Sequence, residues 1–282
     1  MSTIKMRKVF YILSLVLLIP AIVSLAYQGL NLGIDFTGGT LIHLRFEQKV
    51  DIEQVREVLG NENIGRDLPI QESGNNEFII RTHDLSQEQS NKLMKGFQDE
   101  LGEMQVLRNE KVGATMGKEL TNKALISIGI ASVLMLLYIS FRFEFKFGVA
   151  AVLALLHNVI IVAGIFSIFQ WEVDAAFVAA LLTILGYSIN DTIVVFDRIR
   201  ENLRLRRKEP YDVIVDKSVL QTVNRSINTV LTVVFCLVAL LVLGGSTIKF
   251  FILAMLMGVI IGCYSSICIA SPLWYDLKVR EG

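Results

Sequence analysis

Asp191 and Arg225 are the two residues of this 282-residue chain whose types and placement could do chemistry. Asp191 follows Asn190 in the segment TILGYSINDTIVVFDRIR (183–200), inside a run that is otherwise apolar from 175 to 196. That length fits a membrane-spanning helix of roughly 20 residues. A carboxylate at the centre of such a helix costs at least about 2.5–3.5 kcal/mol, so it normally faces a bundle interior, takes a partner and belongs to a path for charge. Arg225 stands at the start of the next apolar run, in NRSINTVLTVVF (224–235). With the intervening turn near Lys208 and Pro210, the two residues lie about equally far from it, and antiparallel helices bring them to similar depth. Thr183, Tyr187, Asn190 and Asp191 share one helix face, and Gln221, Arg225, Asn228 and Thr232 share another. Two such stripes on neighbouring helices predict a buried polar seam.

Burial and a nearby guanidinium pull a carboxyl's proton affinity in opposite senses, so a small movement of Arg225 could switch Asp191 between loaded and empty. Arg cannot give up its own proton, which makes Asp191 the carrier and Arg225 the tuning charge. Two plainer readings stand beside this one: a static ion pair that fixes helix register, and an Arg225 that only snorkels to the headgroups. His157, followed by Asn158, is a second candidate for a proton relay, lying midway along another apolar run. Without a further ligand it makes no metal site. Gly258 and Gly262 form a GxxxG packing surface. Asp35, Gly38 and Gly39, in the stretch GIDFTGGT (33–40), read as a structural turn whose glycines supply unusual backbone angles. The sequence offers no phosphate loop, nucleophile elbow or zinc spacing, so an enzyme, a cofactor and a nucleic-acid partner are not expected.

The elements that position these residues follow from composition. At 53% hydrophobic, with the apolar residues in blocks, the chain reads as a multi-span membrane protein. Its 27 basic and 27 acidic side chains cancel, so their placement carries the information. The three cysteines fall in apolar runs and give neither a disulfide framework nor a metal spacing. A first apolar run at 9–26 contains Pro20 and is too long for the usual signal-peptide core of roughly 7–15 residues, so it is expected to stay as a span. Five more follow at 124–141, 147–169, 175–196, 226–243 and 250–270.

The polar stretch between the first two spans alternates as strands and helices. Residues 40–46 read as a strand with Ile42, Leu44 and Phe46 inward. Asp51 caps a helix with Ile52, Val55 and Leu59 inward, and strands follow at 68–72 and 77–82. Ser86 and Gln89 form a capping box for a helix with Leu93, Phe97 and Leu101 inward, before a last strand at 104–112. That βαββαβ order is the ferredoxin-like arrangement.

The predicted fold is therefore a polytopic α-helical membrane protein, six transmembrane helices with an α+β ferredoxin-like extracytoplasmic domain between the first and second. Its parts are residues 1–29, 30–122 and 123–282, the last with a basic hairpin near 197–224. Lys5, Arg7, Lys8, Arg142, Lys146, seven basic residues from Arg198 to Lys217 (Arg206 and Arg207 among them), and Lys278 and Arg280 all fall on one side, which places both termini in the cytoplasm. The basic hairpin is mainly this orientation signal, with anionic lipid or a cytoplasmic partner as alternative further contacts. Trp171 and Trp274, at span ends, are expected to act as interfacial anchors.

Three motifs carry a resemblance: GIDFTGGT after the first span, GYSINDTIVVFDRIREN (186–202), and SVLQTVNRSINT (218–229). Together they closely resemble the SecF side of the SecD/SecF family of bacterial protein-export subunits, within the resistance-nodulation-division superfamily. The resemblance implies an inner-membrane protein that works beside SecD and the SecYEG channel and acts on preproteins. It implies that H+ is the coupling ion, that Asp191 and Arg225 respond to it, and that proton entry changes the posture of the outer domain. Where the family often has His then Asp, this chain has His157 then Asn158. A purely structural stabiliser of the translocase and half of a small-molecule exporter are the other expectations.

Overall fold

The computed structural model describes residues 2–66, 68–72, 76–205, 208–245 and 248–279. Arg206, Arg207 and Arg280, used above for orientation, lie outside these residues, as do Ser246 and Thr247 of the last connector. The chain divides into two compact units, one formed by Met1–Asn31 with Ala124–Gly282 and the other by Leu32–Lys123.

The smaller unit is an α/β layer. A short helical turn, α2 (Ile34–Thr37), leads into β1 (Gly39–Phe46). Then come α3 (Ile52–Asn61), β2 (Ile70–Glu72), β3 (Glu77–Thr82), α4 (Gln87–Leu101) and β4 (Met104–Val112). The sheet order is β2-β3-β1-β4, with all neighbours antiparallel. Both helices start at complete capping boxes, Asp51 with Gln54 and Ser86 with Gln89, each satisfying two otherwise orphaned backbone N–H groups. The period of two in β1 sends Ile42, Leu44 and Phe46 into a core with Val55, Leu59, Phe78, Leu93 and Phe97. On the opposite face of the sheet His43 Nε2 lies 3.0 Å from Glu77 Oε2, and Arg45 also bonds Glu77. Burial pushes Glu77 up, but the hydrogen bonds from Arg45 and His43 outweigh it and hold the carboxyl below the ordinary carboxylate value.

The glycines of the GIDFTGGT stretch do what their conformations require. Gly38 and Gly39 have φ of 74° and 128°, and a Cβ on Gly39 would meet the Thr82 carbonyl oxygen at 2.4 Å. Asp35 sits in the first turn of α2. The Phe36 carbonyl at the end of this turn packs against Gly117, where a Cβ would lie 2.5 Å from its oxygen.

The larger unit contains the helices long and apolar enough to cross a membrane, six among the described residues, although the first turns of one of them, through Lys123, belong to the smaller unit. They are α1 (Arg7–Tyr27), α5 (Ala114–Arg142), α6 (Phe145–Phe169), α7 (Ala175–Leu205), α8 (Tyr211–Leu243) and a last span made of α9 (Lys249–Ser265), a π-helical turn (Ser266–Ala270) and α10 (Ser271–Val279). Helices α6, α7 and α9 are the most buried; α1, α5 and α8 present long apolar faces outward. Two spans begin earlier than their apolar runs suggest: α5 at Ala114 rather than 124, and α8 at Tyr211 rather than 226. Hydropathy marks the part of a helix that suits lipid, whereas the helix itself continues through its polar turns.

Small residues set the closest helix contacts. A Cβ on Gly164 of α6 would lie 2.1 Å from Ala21 Cβ of α1, and one on Gly258 of α9 would lie 2.2 Å from Ile184 Cδ1 of α7. Gly262 faces Ser188 in the same way, so the GxxxG pair is a packing surface. Trp274 corrects an expectation: it is fully buried and stacks on Phe147 with ring centroids 4.6 Å apart, so it is a core residue of the bundle rather than an interfacial anchor. A span end that packs under another segment offers a Trp no headgroup layer. The N-terminal segment is tied to the same region, with the Ile4 amide donating to Asp216 and Arg7 paired with Asp276 at 3.0 Å.

Candidate functional site

Helices α7 and α8 meet through a ladder of polar contacts running away from their connection. Asn202 donates to Ser218 at 2.8 Å and to Gln221 at 2.9 Å, and Arg198 donates to Gln221 at 2.6 Å. Farther in, Ser226 Oγ donates to Asp191 Oδ1 at 2.5 Å. The antiparallel arrangement thus brings α8 to the depth of Asp191 at the expected place, but with its rotation shifted by one residue. Ser226 faces the carboxylate, and Arg225 projects to the exposed side. One residue is about 100° of helix, enough to exchange inside for outside.

That shift alters the predicted seam. Its α8 members Arg225, Asn228 and Thr232 are exposed, and only Gln221 reaches α7. On α7, Thr183 and Asn190 are exposed, while Tyr187 is half-buried with its hydroxyl enclosed and without a hydrogen bond among the described residues. The stripe that α8 does bury is Ser218, Thr222 and Ser226. Small hydroxyls let two helices approach closely and return their hydrogen bonds to the backbone, as Ser218 does to Ile214 and Thr222 to Ser218. Burying a guanidinium and two larger polar side chains there would demand more room than the close approach of the two helices leaves, and a hydrogen-bond partner for each.

Asp191 is half-buried. Its Oδ2 is enclosed and accepts no hydrogen bond of normal length and angle. Arg225 acts on it by Coulomb attraction alone, beyond ion-pair distance, and the Ser266 hydroxyl stands on the remaining side. Ser266 shares a 2.8 Å hydrogen bond with Thr192, one residue after Asp191.

From there a buried polar chain crosses the bundle. Thr192 returns its hydroxyl to the Ser188 carbonyl, and the Ser188 hydroxyl accepts from Asn158 at 2.9 Å. Asn158 Oδ1 lies 3.0 Å from His157 Nδ1, His157 Nε2 lies 3.1 Å from Ser14, and Ser14 lies 3.1 Å from the Tyr264 hydroxyl, which donates to the Phe10 carbonyl. His157, read as a second relay candidate, therefore sits midway along a chain joining α1, α6, α7 and the last span. Asn158 is its fully buried link. The Ser14, Ser188, Ser226, Ser266 and Tyr264 members escaped the sequence reading because isolated hydroxyls in apolar runs carry no spacing signal; only Ser188 and Thr192, at i and i+4, do. Among the described residues no cluster of His, Cys, Asp and Glu has the makings of a metal site.

The model of the protein export membrane protein SecD/SecF C-terminal region matches residues 91–280, and that of the SecD/SecF GG motif matches residues 23–50. The chain belongs to the SecD/SecF family. The protein translocase subunit SecF of Vibrio alginolyticus is 42% identical over 97% of this chain and 89% of its own length. That of Magnetococcus marinus is 44% identical over 95% and 88%. The SecDF of Thermus thermophilus is 41% identical over 96% of this chain, which spans only 38% of that longer protein. In the solved structure of SecDF from Thermus thermophilus the match reaches a TM-score of 0.92 at 39% identity, covering 99% of this chain and 39% of that one. A SecDF structure in a super-membrane-facing form matches at 0.74 with the same identity. Within this family of membrane proteins the GG motif is the Gly38–Gly39 turn, and the C-terminal match includes Asp191, Arg225 and His157.

Proposed function

We propose that this chain is an accessory subunit of the bacterial Sec translocase that uses the proton motive force to promote preprotein export and release on the extracytoplasmic side. Asp191 is the proton carrier and Arg225 its tuning charge. The observation that carries this reading is the state of the Asp191 carboxyl: one oxygen is held by Ser226, and the other is enclosed beside the Ser266 hydroxyl, with no hydrogen bond of normal geometry and no ion pair among the described residues. An oxygen so placed is where a proton can be taken up and given back without breaking a salt bridge. H+ is the coupling ion, with His157 on the adjoining chain as its relay and Asn158 orienting that imidazole.

The α/β unit is read as a ferredoxin-like extracytoplasmic domain, a reading supported by its βαββαβ order and its β2-β3-β1-β4 sheet. Both termini are then cytoplasmic, and the bundle lies in the bacterial inner membrane. One charge crossing about 150 mV releases roughly 3.5 kcal/mol, at about 2.3 kcal/mol per 100 mV. Fully harnessed, this biases a two-state domain roughly a few hundredfold. SecD and the SecYEG channel are the expected partners, and preproteins the substrate.

Asp191→Asn tests the assignment in vesicles with an imposed proton gradient. The reading expects the gradient-dependent part of export to disappear while the complex with SecD still copurifies. Unchanged export, or a complex that falls apart, would instead make Asp191 a structural residue of the assembly.

A further inference from the structure

Beside the α7–α8 hairpin, the far end of α5 and the adjoining turns of α7 enclose two cavities of about 360 and 260 Å³ that share Arg142 and Asp197. Joined, they fall in the usual size range of ligand sites, about 300–1,000 Å³. Arg200 and Arg204 line the first, and Arg225 the second. None of these four arginines has a carboxylate within 4.0 Å among the described residues, whereas Arg198 next to them is paired with Glu201. Among the described residues Asp197 is the one carboxylate in the groove left without a cation. The guanidiniums are also preset: those of Arg142 and Arg200 both lie over the Phe143 ring, at 5.7 and 5.5 Å, and Arg200 donates to the Arg142 carbonyl.

We infer that this groove is a binding site for the phosphate headgroup of an anionic phospholipid. Four guanidiniums against one carboxylate, none of them in an ion pair among the described residues, select an anion, and the arginine fork suits phosphate oxygens. The lipid source follows from what continues the groove. Arg142 is the last residue of a span, and Tyr138, Ile193 and Val194 carry the second cavity onto apolar helix faces, where Leu134 and Leu137 are exposed. A soluble anion would have no use for that surface; acyl chains would. Basic pockets between spans are a known form of headgroup recognition.

The test is native mass spectrometry of the purified full chain in neutral detergent, titrated with phosphatidylglycerol, phosphatidylcholine or glycerol phosphate. The expected result is one retained phosphatidylglycerol, preferred over phosphatidylcholine by about tenfold or more. Replacing R142Q, R200Q and R204Q together should abolish that preference, at roughly fivefold per arginine. The charge-matched set K5Q, K8Q and K208Q should keep it. D197N, which removes the opposing charge, should tighten binding severalfold and serves as the deciding variant if the triple replacement does not fold. Equal loss in both sets, no gain in D197N, or competition by glycerol phosphate as effective as by the lipid would overturn the proposal.

Discussion

At the scale of single residues, the same physics governs two carboxylates in opposite settings. Glu77 in the sheet is almost fully buried but receives hydrogen bonds from Arg45 and His43, so its charged form is the favoured one. Because its folded pKa is depressed, its contribution is complete above the ordinary value of 4.5 and is lost as pH falls below that. Protection factors of the β1 and β3 amides in the full chain, that is, exchange rates divided into the intrinsic chemical rate at each pH, should fall between neutral pH and about pH 3 in the native protein. Glu77→Gln should instead be looser at neutral pH, by about 1–3 kcal/mol for the donors left unmatched, with a flatter acid limb. An unaltered acid limb would remove Glu77 from this role. Asp191 has the reverse surroundings: among the described residues it has hydroxyls for neighbours, Ser226 bonded to it, and no ion pair. Its depth and its helix were legible in the sequence, since an acid in a long apolar run has few explanations. The facing residue was not, because α8 is polar on two adjacent faces and periodicity cannot choose between them. Size decides instead: Ser226 fits between the helices and Arg225 does not.

At the scale of elements, close helix approach is the device that fixes this bundle. Gly164 allows α1 to touch α6 at Ala21, and an added methyl would meet Ala21 Cα, a backbone atom, at 2.6 Å. Gly164→Ala is therefore expected to cost about 1–3 kcal/mol through overpacking. Thermal unfolding of the purified chain measures it, with part of the loss recovered when Ala21→Gly is added. Gly186→Ala is the control: nothing lies within 4 Å of the new methyl, so no loss is expected there and a small gain from helix propensity is. Equal effects at both glycines would contradict the contact. The elements themselves were readable from sequence for physical reasons. Capping boxes at Asp51 and Ser86 fix helix starts locally, and alternation in 40–46 fixes which side of β1 is inward. The early starts of α5 and α8 were not readable, since hydropathy is blind to the polar turns of a long helix. Trp274 was misread because a span's end in sequence need not be an end in space.

At the scale of the whole molecule, the outward polar stripe becomes informative. Asn228 and Thr232 on α8, with Thr183 and Asn190 on α7, are polar positions facing away from the bundle at depths where lipid would leave them unsatisfied. This chain spans 39% of the solved SecDF of Thermus thermophilus, so that relative carries a further portion beyond the part matched here. The account therefore expects a SecD partner against this stripe. A photo-crosslinker at Asn228 should capture SecD, whereas one at lipid-facing Ile130 of α5 should not; capture from both positions, or from neither, would place the partner elsewhere. The central claim remains the proton on Asp191, and infrared difference spectroscopy of the reconstituted complex reads it directly. Acidifying the outer side should produce a protonated-carboxyl band in the native protein that is missing in Asp191→Asn and present in Glu77→Gln. A band that persists unchanged in Asp191→Asn would contradict the account.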